Sequence, residues 1–317
     1  MMDVDKDTII DEIKHLKEKN NAVIYAHYYQ RPEIQNIADA IGDSLALARI
    51  AQNSDADVII LCGVNFMAET AAILCPDKIV ICPDITAGCS LADSCPADKF
   101  KEFINNHPGH TVISYVNTSA DVKALTDVVV TSSNARQIVE SFPLDEKIIF
   151  GPDRNLGNYI NSISGRNMVL WDGACHVHEK FSLEKILNLK KQHPDAKILA
   201  HPECRKSIIL VADKVGSTQA LLNYAIDNEA NKFIVATESG IIHEMKRLAP
   251  DKQFIPAPPD DADCACNECS YMKQNTLVNV LNSLRSLSPR VIVDKNIADK
   301  ARIPIERMLN ISSKLGL

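Results

Sequence analysis

Short apolar runs alternate with amphipathic stretches along the whole chain, and the alternation comes round three times. The first round places apolar runs at 22–26, 58–62 and 78–82. They lack in–out alternation, which suits strands covered on both faces. Helical patterns lie between them. One starts after Arg31-Pro32, where proline fits the first turn; the others span 45–52, behind Gly42-Asp43-Ser44, and 66–74. The second round predicts strands at 111–115, 128–130, 147–150 and 168–171, with helices at 120–125, 134–141 and 156–162. The third predicts strands at 197–200, 233–236 and 253–255, with helices at 205–212, 219–226 and 241–248. An amphipathic helix over 5–20 precedes these, with Ile9, Ile10, Ile13 and Leu16 on one face. Helical patterns at 275–287 and 304–315 and a strand at 291–293 follow.

Strands alternating with helices predict parallel sheets sandwiched between helices, with functional loops at the carboxyl ends of the strands. The fold class is therefore α/β, built from three similar units: 1–105 with the N-terminal helix, 106–192, and 193–317 with the C-terminal helices. No low-complexity linker separates them, so they are expected to pack closely.

The rounds also share a spacing. Tyr25-Ala26-His27, Ile113-Ser114-Tyr115 and Leu199-Ala200-His201 each close a first strand. Seventeen residues after each triplet come Ser44, Ser132 and Thr218, expected at helix starts. Each round then runs to a cysteine: Cys89, Cys175 and Cys269. A pseudo-threefold assembly would face all nine side chains toward one axis. A serine or threonine at a helix start is most often only an N-cap. Recurrence at one offset in three copies favours a cavity of helix N-termini suited to phosphate or carboxylates.

Composition narrows the chemistry. The chain has 317 residues, 46% of them hydrophobic, and a net charge of −7. Without a basic surface, nucleic acid is not expected as a partner. Met1-Met2-Asp3-Val4-Asp5-Lys6-Asp7 is acidic and polar, unlike a signal peptide. The most apolar stretch, 58–74, is broken by Asn65 and Glu69 and falls short of the roughly 20 residues of a membrane span. A cytoplasmic protein with no membrane partner is expected. Its ten cysteines then suggest buried thiols or metal ligands rather than disulfides. Cys62, Cys75, Cys82 and Cys204 lie in or beside apolar runs and read as small buried hydrophobes.

Other candidates sit at strand ends. His201-Pro202-Glu203-Cys204-Arg205 places polar groups where burial for packing alone is costly. His27-Tyr28-Tyr29-Gln30, Tyr115-Val116-Asn117, Glu238, and His176 and His178 after Cys175 fall in comparable places. Cys264-Ala265-Cys266-Asn267-Glu268-Cys269 could be read as a zinc knuckle, but it lacks a second local pair. Single cysteines from three equivalent units suit a [4Fe–4S] cluster with one open iron better.

With these motifs in order along the chain, the sequence resembles the quinolinate synthase family. The motifs that carry this include Ala26-His27-Tyr28-Tyr29, Gly42-Asp43-Ser44, Gly88-Cys89-Ser90-Leu91, Tyr115-Val116-Asn117-Thr118-Ser119, Val130-Thr131-Ser132-Ser133, Gly173-Ala174-Cys175, His201-Pro202-Glu203-Cys204, Val215-Gly216-Ser217-Thr218, Ala236-Thr237-Glu238 and Cys269-Ser270-Tyr271-Met272-Lys273. The resemblance implies three α/β/α domains, each with a parallel four-stranded sheet, about a pseudo-threefold axis with the active site at its centre. It implies condensation of iminoaspartate with dihydroxyacetone phosphate to quinolinate, with release of phosphate and water, in NAD biosynthesis. A transient partner would supply iminoaspartate. The cluster ligands would be Cys89, Cys175 and Cys269. Tyr29 and Glu203, supported by His27 and His201, would move protons. His27, Ser44, Tyr115, Asn117, Ser132, His178, His201, Glu203 and Thr218 would hold the substrates.

One departure stands out. Family members with a C-x-x-C-x-x-C ending have a cysteine where this chain has Asp263, and Cys264 is displaced by one. This leaves the third ligand open between Cys266 and Cys269 and argues against a redox cysteine pair. Alternative readings are another [4Fe–4S] hydro-lyase, a cluster-based redox sensor and a structural zinc protein.

Overall fold

The computed structural model describes residues 6–260 and 267–317. Cys264 and Cys266 lie outside the described residues. Three parallel four-stranded sheets organise the chain. The first contains β1 (Ala22–His27), β2 (Ala40–Gly42), β3 (Val58–Cys62) and β4 (Ile79–Ile81). The second contains β5 (Thr111–Tyr115), β6 (Val128–Val130), β7 (Ile148–Gly151) and β8 (Val169–Leu170). The third contains β9 (Lys197–Ala200), β10 (Lys214–Val215), β11 (Lys232–Ala236) and β12 (Gln253–Pro256). The orders are β2-β1-β3-β4, β6-β5-β7-β8 and β10-β9-β11-β12, so the same topology occurs three times.

A repeated brace supports this equivalence. Asp39, Asp127 and Asp213 each follow by fifteen residues a strand residue: Ile24, Val112 and Ile198. Each carboxylate accepts that residue's amide, at 2.7, 2.8 and 2.8 Å. Each aspartate amide returns a bond to the same residue's carbonyl. The pair holds the approach to the short edge strand against the first strand.

The apolar runs form the cores: β3 is buried at every position, and β6 and β7 likewise. The helices Lys6–Lys19 and Leu277–Ser286 pack together on the first sheet. The helix Lys295–Lys314 packs on β6 and on the helix Ala120–Lys123. Thus the C-terminal helices, grouped by sequence with the third unit, lie on the first and second sheets.

Several expectations change. The predicted strand at 291–293 is only an edge contact, with a bridge between Ile81 and Arg290 and a Val291 amide on the Val80 carbonyl. The last helix starts at Lys295 rather than Pro304, because Asp294 caps it through the Asn296 and Ile297 amides. Pro304 sits inside this helix. The helices Ala97–Asn105 and Leu183–Gln192, which precede the second and third sheets, escaped the reading, as did edge strands β2 and β10.

Candidate active site

Parallel pairing points all strand ends of a sheet the same way, and the three sheets direct these ends to one cavity. β1 ends at His27, β5 ends at Tyr115, and β9 leads into His201. The thirteen residues given a role in the site by sequence line this cavity: His27, Tyr29, Ser44, Cys89, Tyr115, Asn117, Ser132, Cys175, His178, His201, Glu203, Thr218 and Cys269; the further candidate Glu238 lines it too, whereas His176 lines a separate surface pocket.

Two of the three hydroxyls sit at helix starts facing the cavity, and the third does not start a helix. Asp43 caps the helix Ser44–Gln52, and Ser217 caps the helix Thr218–Asp227. Ser44 and Thr218 are therefore first helical residues whose side chains do not cap, and both line the cavity. Ser132 does not start a helix. It lies in a turn before Asn134, which precedes the helix Ala135–Glu140. This turn is tied to the first repeat by the Ser133 hydroxyl, which donates to Asp43 Oδ2 at 2.5 Å.

Two strand exits use the same histidine turn. His27 Nδ1 accepts the Tyr29 amide at 3.1 Å, and His201 Nδ1 accepts the Glu203 amide at 3.3 Å. This assigns the proton to Nε2 in each neutral ring. Burial pushes both imidazoles down to about 3, with Lys273 adding to the effect at His27. The His178 and His201 rings stack with centroids 4.7 Å apart.

A polar chain crosses the cavity wall. The Tyr29 hydroxyl lies 2.7 Å from the hydroxyls of both Thr218 and Thr237. Thr237 Oγ1 lies 2.9 Å from His178 Nε2, and His178 Nδ1 lies 3.0 Å from Glu203 Oε2. The Tyr115 hydroxyl donates to Glu203 Oε1 at 2.6 Å. Burial alone would raise the Glu203 carboxyl, but His201, His178 and Tyr115 outweigh it and hold it below the usual carboxylate range. Burial also keeps the Tyr29 and Tyr115 phenols protonated. Thr237 carries no local signal of a role in the sequence, since a threonine after a buried strand is common. Among the described residues lining the cavity there is neither lysine nor arginine. Anionic groups would meet hydroxyls, an amide and imidazole N–H groups.

The three cysteines fit a metal centre. Cys89, Cys175 and Cys269 are free, half-buried thiols on one cavity. Amides of the turn after each cysteine act against its burial and lower its pKa: Leu91 and Ala92 at Cys89, His178 at Cys175, Tyr271 and Met272 at Cys269. Such N–H groups favour thiolate over thiol. Burial, the largest influence, pushes the Cys89 thiol up to about 12 and raises the other two, so a cation would displace their protons. Two of their amides are held as well: Asp153 Oδ2 accepts from Cys175 N at 2.9 Å, and Glu238 Oε1 from Cys269 N at 3.1 Å. Ligand atoms of Cys175, His178 and Glu203 also lie within 4.8 Å of one another, a smaller set able to hold a single ion. Cys62, Cys75, Cys82 and Cys204 are buried, as expected of small hydrophobes.

Comparison with known proteins agrees with this geometry. A family model described as Quinolinate synthetase A protein matches residues 11–310. The quinolinate synthase of Chloroherpeton thalassium is 51% identical over 304 residues, covering 96% of this chain and 94% of that protein. Those of Nostoc punctiforme and Microcystis aeruginosa are each 54% identical. The first alignment covers 95% of this chain and 92% of the relative; the second covers 96% of both. Three copies of one sheet topology, three convergent thiols and a match along nearly the whole chain place this enzyme in the quinolinate synthetase A family.

Proposed function

We propose that this chain condenses iminoaspartate with dihydroxyacetone phosphate to form quinolinate, phosphate and two molecules of water. The atoms balance without an external oxidant. The observation that carries the reading is the convergence of three thiols, two phenols and Glu203 on one cavity. A [4Fe–4S] cluster held by Cys89, Cys175 and Cys269 would supply a Lewis-acidic iron that polarises oxygen and nitrogen donors of the reactants.

The protein's own groups do the rest. Ser44, Ser132, Thr218 and Asn117 hold phosphate and carboxylates through hydroxyl and amide donors. The Nε2–H groups of His27 and His201 add two neutral donors. Tyr115 and His178 fix the Glu203 carboxylate, which takes protons during enolisation. Tyr29, a neutral phenol, gives protons to leaving oxygen during dehydration. Holding both substrates in one enclosed site removes most of the entropic cost of bringing two anions together. On this reading the reaction runs in the cytoplasm, with iminoaspartate supplied by a transient partner.

A second metal reading is a single zinc ion on Cys175, His178 and Glu203. Anaerobic purification with metal analysis separates the two. About four irons per chain with broad absorption near 400 nm supports the cluster; a colourless zinc protein refutes it. Incubating cluster-replete protein with both substrates should yield quinolinate, and its absence overturns the function.

A further inference from the structure

The ion pair of buried Glu238 and half-buried Lys273 is not used in the chemistry above. Glu238 follows β11 and is 1% exposed. Its Oε1 is 2.9 Å from Lys273 Nζ and accepts the Cys269 amide at 3.1 Å; its Oε2 accepts the Gly240 amide at 2.7 Å. Lys273 Nζ also donates to the Tyr29 carbonyl at 2.6 Å. Gly240 presses on the same main chain from another side. A Cβ there would lie 2.7 Å from the Tyr29 carbonyl carbon and 2.8 Å from its Cα. Two further contacts join these segments: Arg31 Nε donates to the Lys273 carbonyl at 2.8 Å, and Gln35 Nε2 bridges the carbonyls of Tyr28, Gln30 and Gly240. Desolvation of the buried Glu238 carboxylate offsets much of the attraction, so the pair contributes little net stability. What this pair does specify is geometry, since it joins the first strand exit of one repeat to the cysteine turn of another.

We propose that Glu238 and Lys273 form a clamp that sets the Tyr29 main chain and the Cys269 turn as one unit, so that metal binding at Cys269 tightens the placement of Tyr29. They are positioning residues. The proposal rests on the reading of Cys269 as a ligand and Tyr29 as a proton donor. Glu238 lines the central cavity beside the cysteine turn, whereas Lys273 does not, so Lys273 acts only through Tyr29 and that turn.

Hydrogen–deuterium exchange tests this apart from turnover. The full chain is compared with iron bound and after anaerobic chelation, as wild type, Lys273→Met and Glu238→Gln. In the wild type, removing iron should speed exchange about tenfold in peptides covering 28–31 as well as 267–273. In Lys273→Met, peptides covering 28–31 should already exchange about tenfold faster with iron bound, and chelation should affect only 267–273. Glu238→Gln should loosen both segments with iron bound. In turnover, Lys273→Met should lower kcat about tenfold with KM within about twofold, since placement rather than substrate contact is lost. Protection at 28–31 unchanged in Lys273→Met overturns the clamp. A general rise in exchange through the second sheet also overturns it, because that marks the pair as merely structural. Quinolinate formation by the wild type is assayed in parallel: its absence refutes the function and leaves the exchange result to decide the clamp.

Discussion

Tyr29 shows how one side chain is specified from several sides. Its ring meets the His27 ring edge-on, with centroids 4.5 Å apart, and its hydroxyl is shared by two threonines of the third repeat. Tyr29→Phe keeps the ring contact and removes only the hydroxyl. The Thr218 and Thr237 hydroxyls lose a partner, at a cost of about 1 kcal/mol in stability. Turnover should fall about 100-fold or more, the scale of general acid–base catalysis, while iron content stays at the wild-type level. Parallel assays of quinolinate and of iron per chain check this. Full activity in the variant removes Tyr29 from the chemistry. At this scale the sequence was most legible where residues end apolar strands, since a polar group there needs a reason. It was least legible at Thr237, whose importance comes from a phenol more than two hundred positions away.

Elements are braced by the aspartates before the edge strands. Asp213 holds the Ile198 amide and pairs with Lys197 at 3.0 Å. Partial burial alone would raise its carboxyl, but the Ile198 amide and Lys197 outweigh it and hold it below the usual carboxylate range. A depressed carboxylate stabilises the fold above its unfolded pKa, near 4, and loses that contribution as pH falls through its lower folded value. Asp213→Asn should therefore be less stable than wild type at neutral pH, and the difference should shrink as the pH drops below about 4. Denaturant unfolding at neutral and acid pH reads this out; a gap that persists in acid refutes the ionic part of the brace. The braces also explain what the pattern concealed. β2 and β10 have few fully buried positions, so they carry no apolar run, and their pairing depends on aspartates placed by the whole repeat. β3 and β7, buried throughout, announced themselves. The helix Leu183–Gln192 buries only Ile186, and its main local sign is the Ser182 cap, which bonds the Lys185 amide.

Across the whole molecule, each repeat contributes a strand exit, a hydroxyl and a thiol to one cavity, and no single repeat holds a complete site. The threefold spacing made this arrangement readable in advance, whereas the packing of the C-terminal helices on the first two sheets left no trace in any local pattern. Shared ownership makes a demand on the metal centre. If Cys89, Cys175 and Cys269 are equivalent ligands, Cys89→Ser, Cys175→Ser and Cys269→Ser should each lose iron to a similar degree, although they lie in different repeats. The same change at Cys62, Cys82 or Cys204, buried in the cores of the first and third repeats, should leave iron content intact and cost only stability. Melting temperature gives a second axis. The wild type should melt higher with iron than without, because a ligand bound only to the folded state stabilises it. The three serine variants should melt alike with or without iron. Retention of the cluster by Cys269→Ser would move the third ligand to another cysteine, and retention by Cys175→Ser would refute the three-thiol centre altogether.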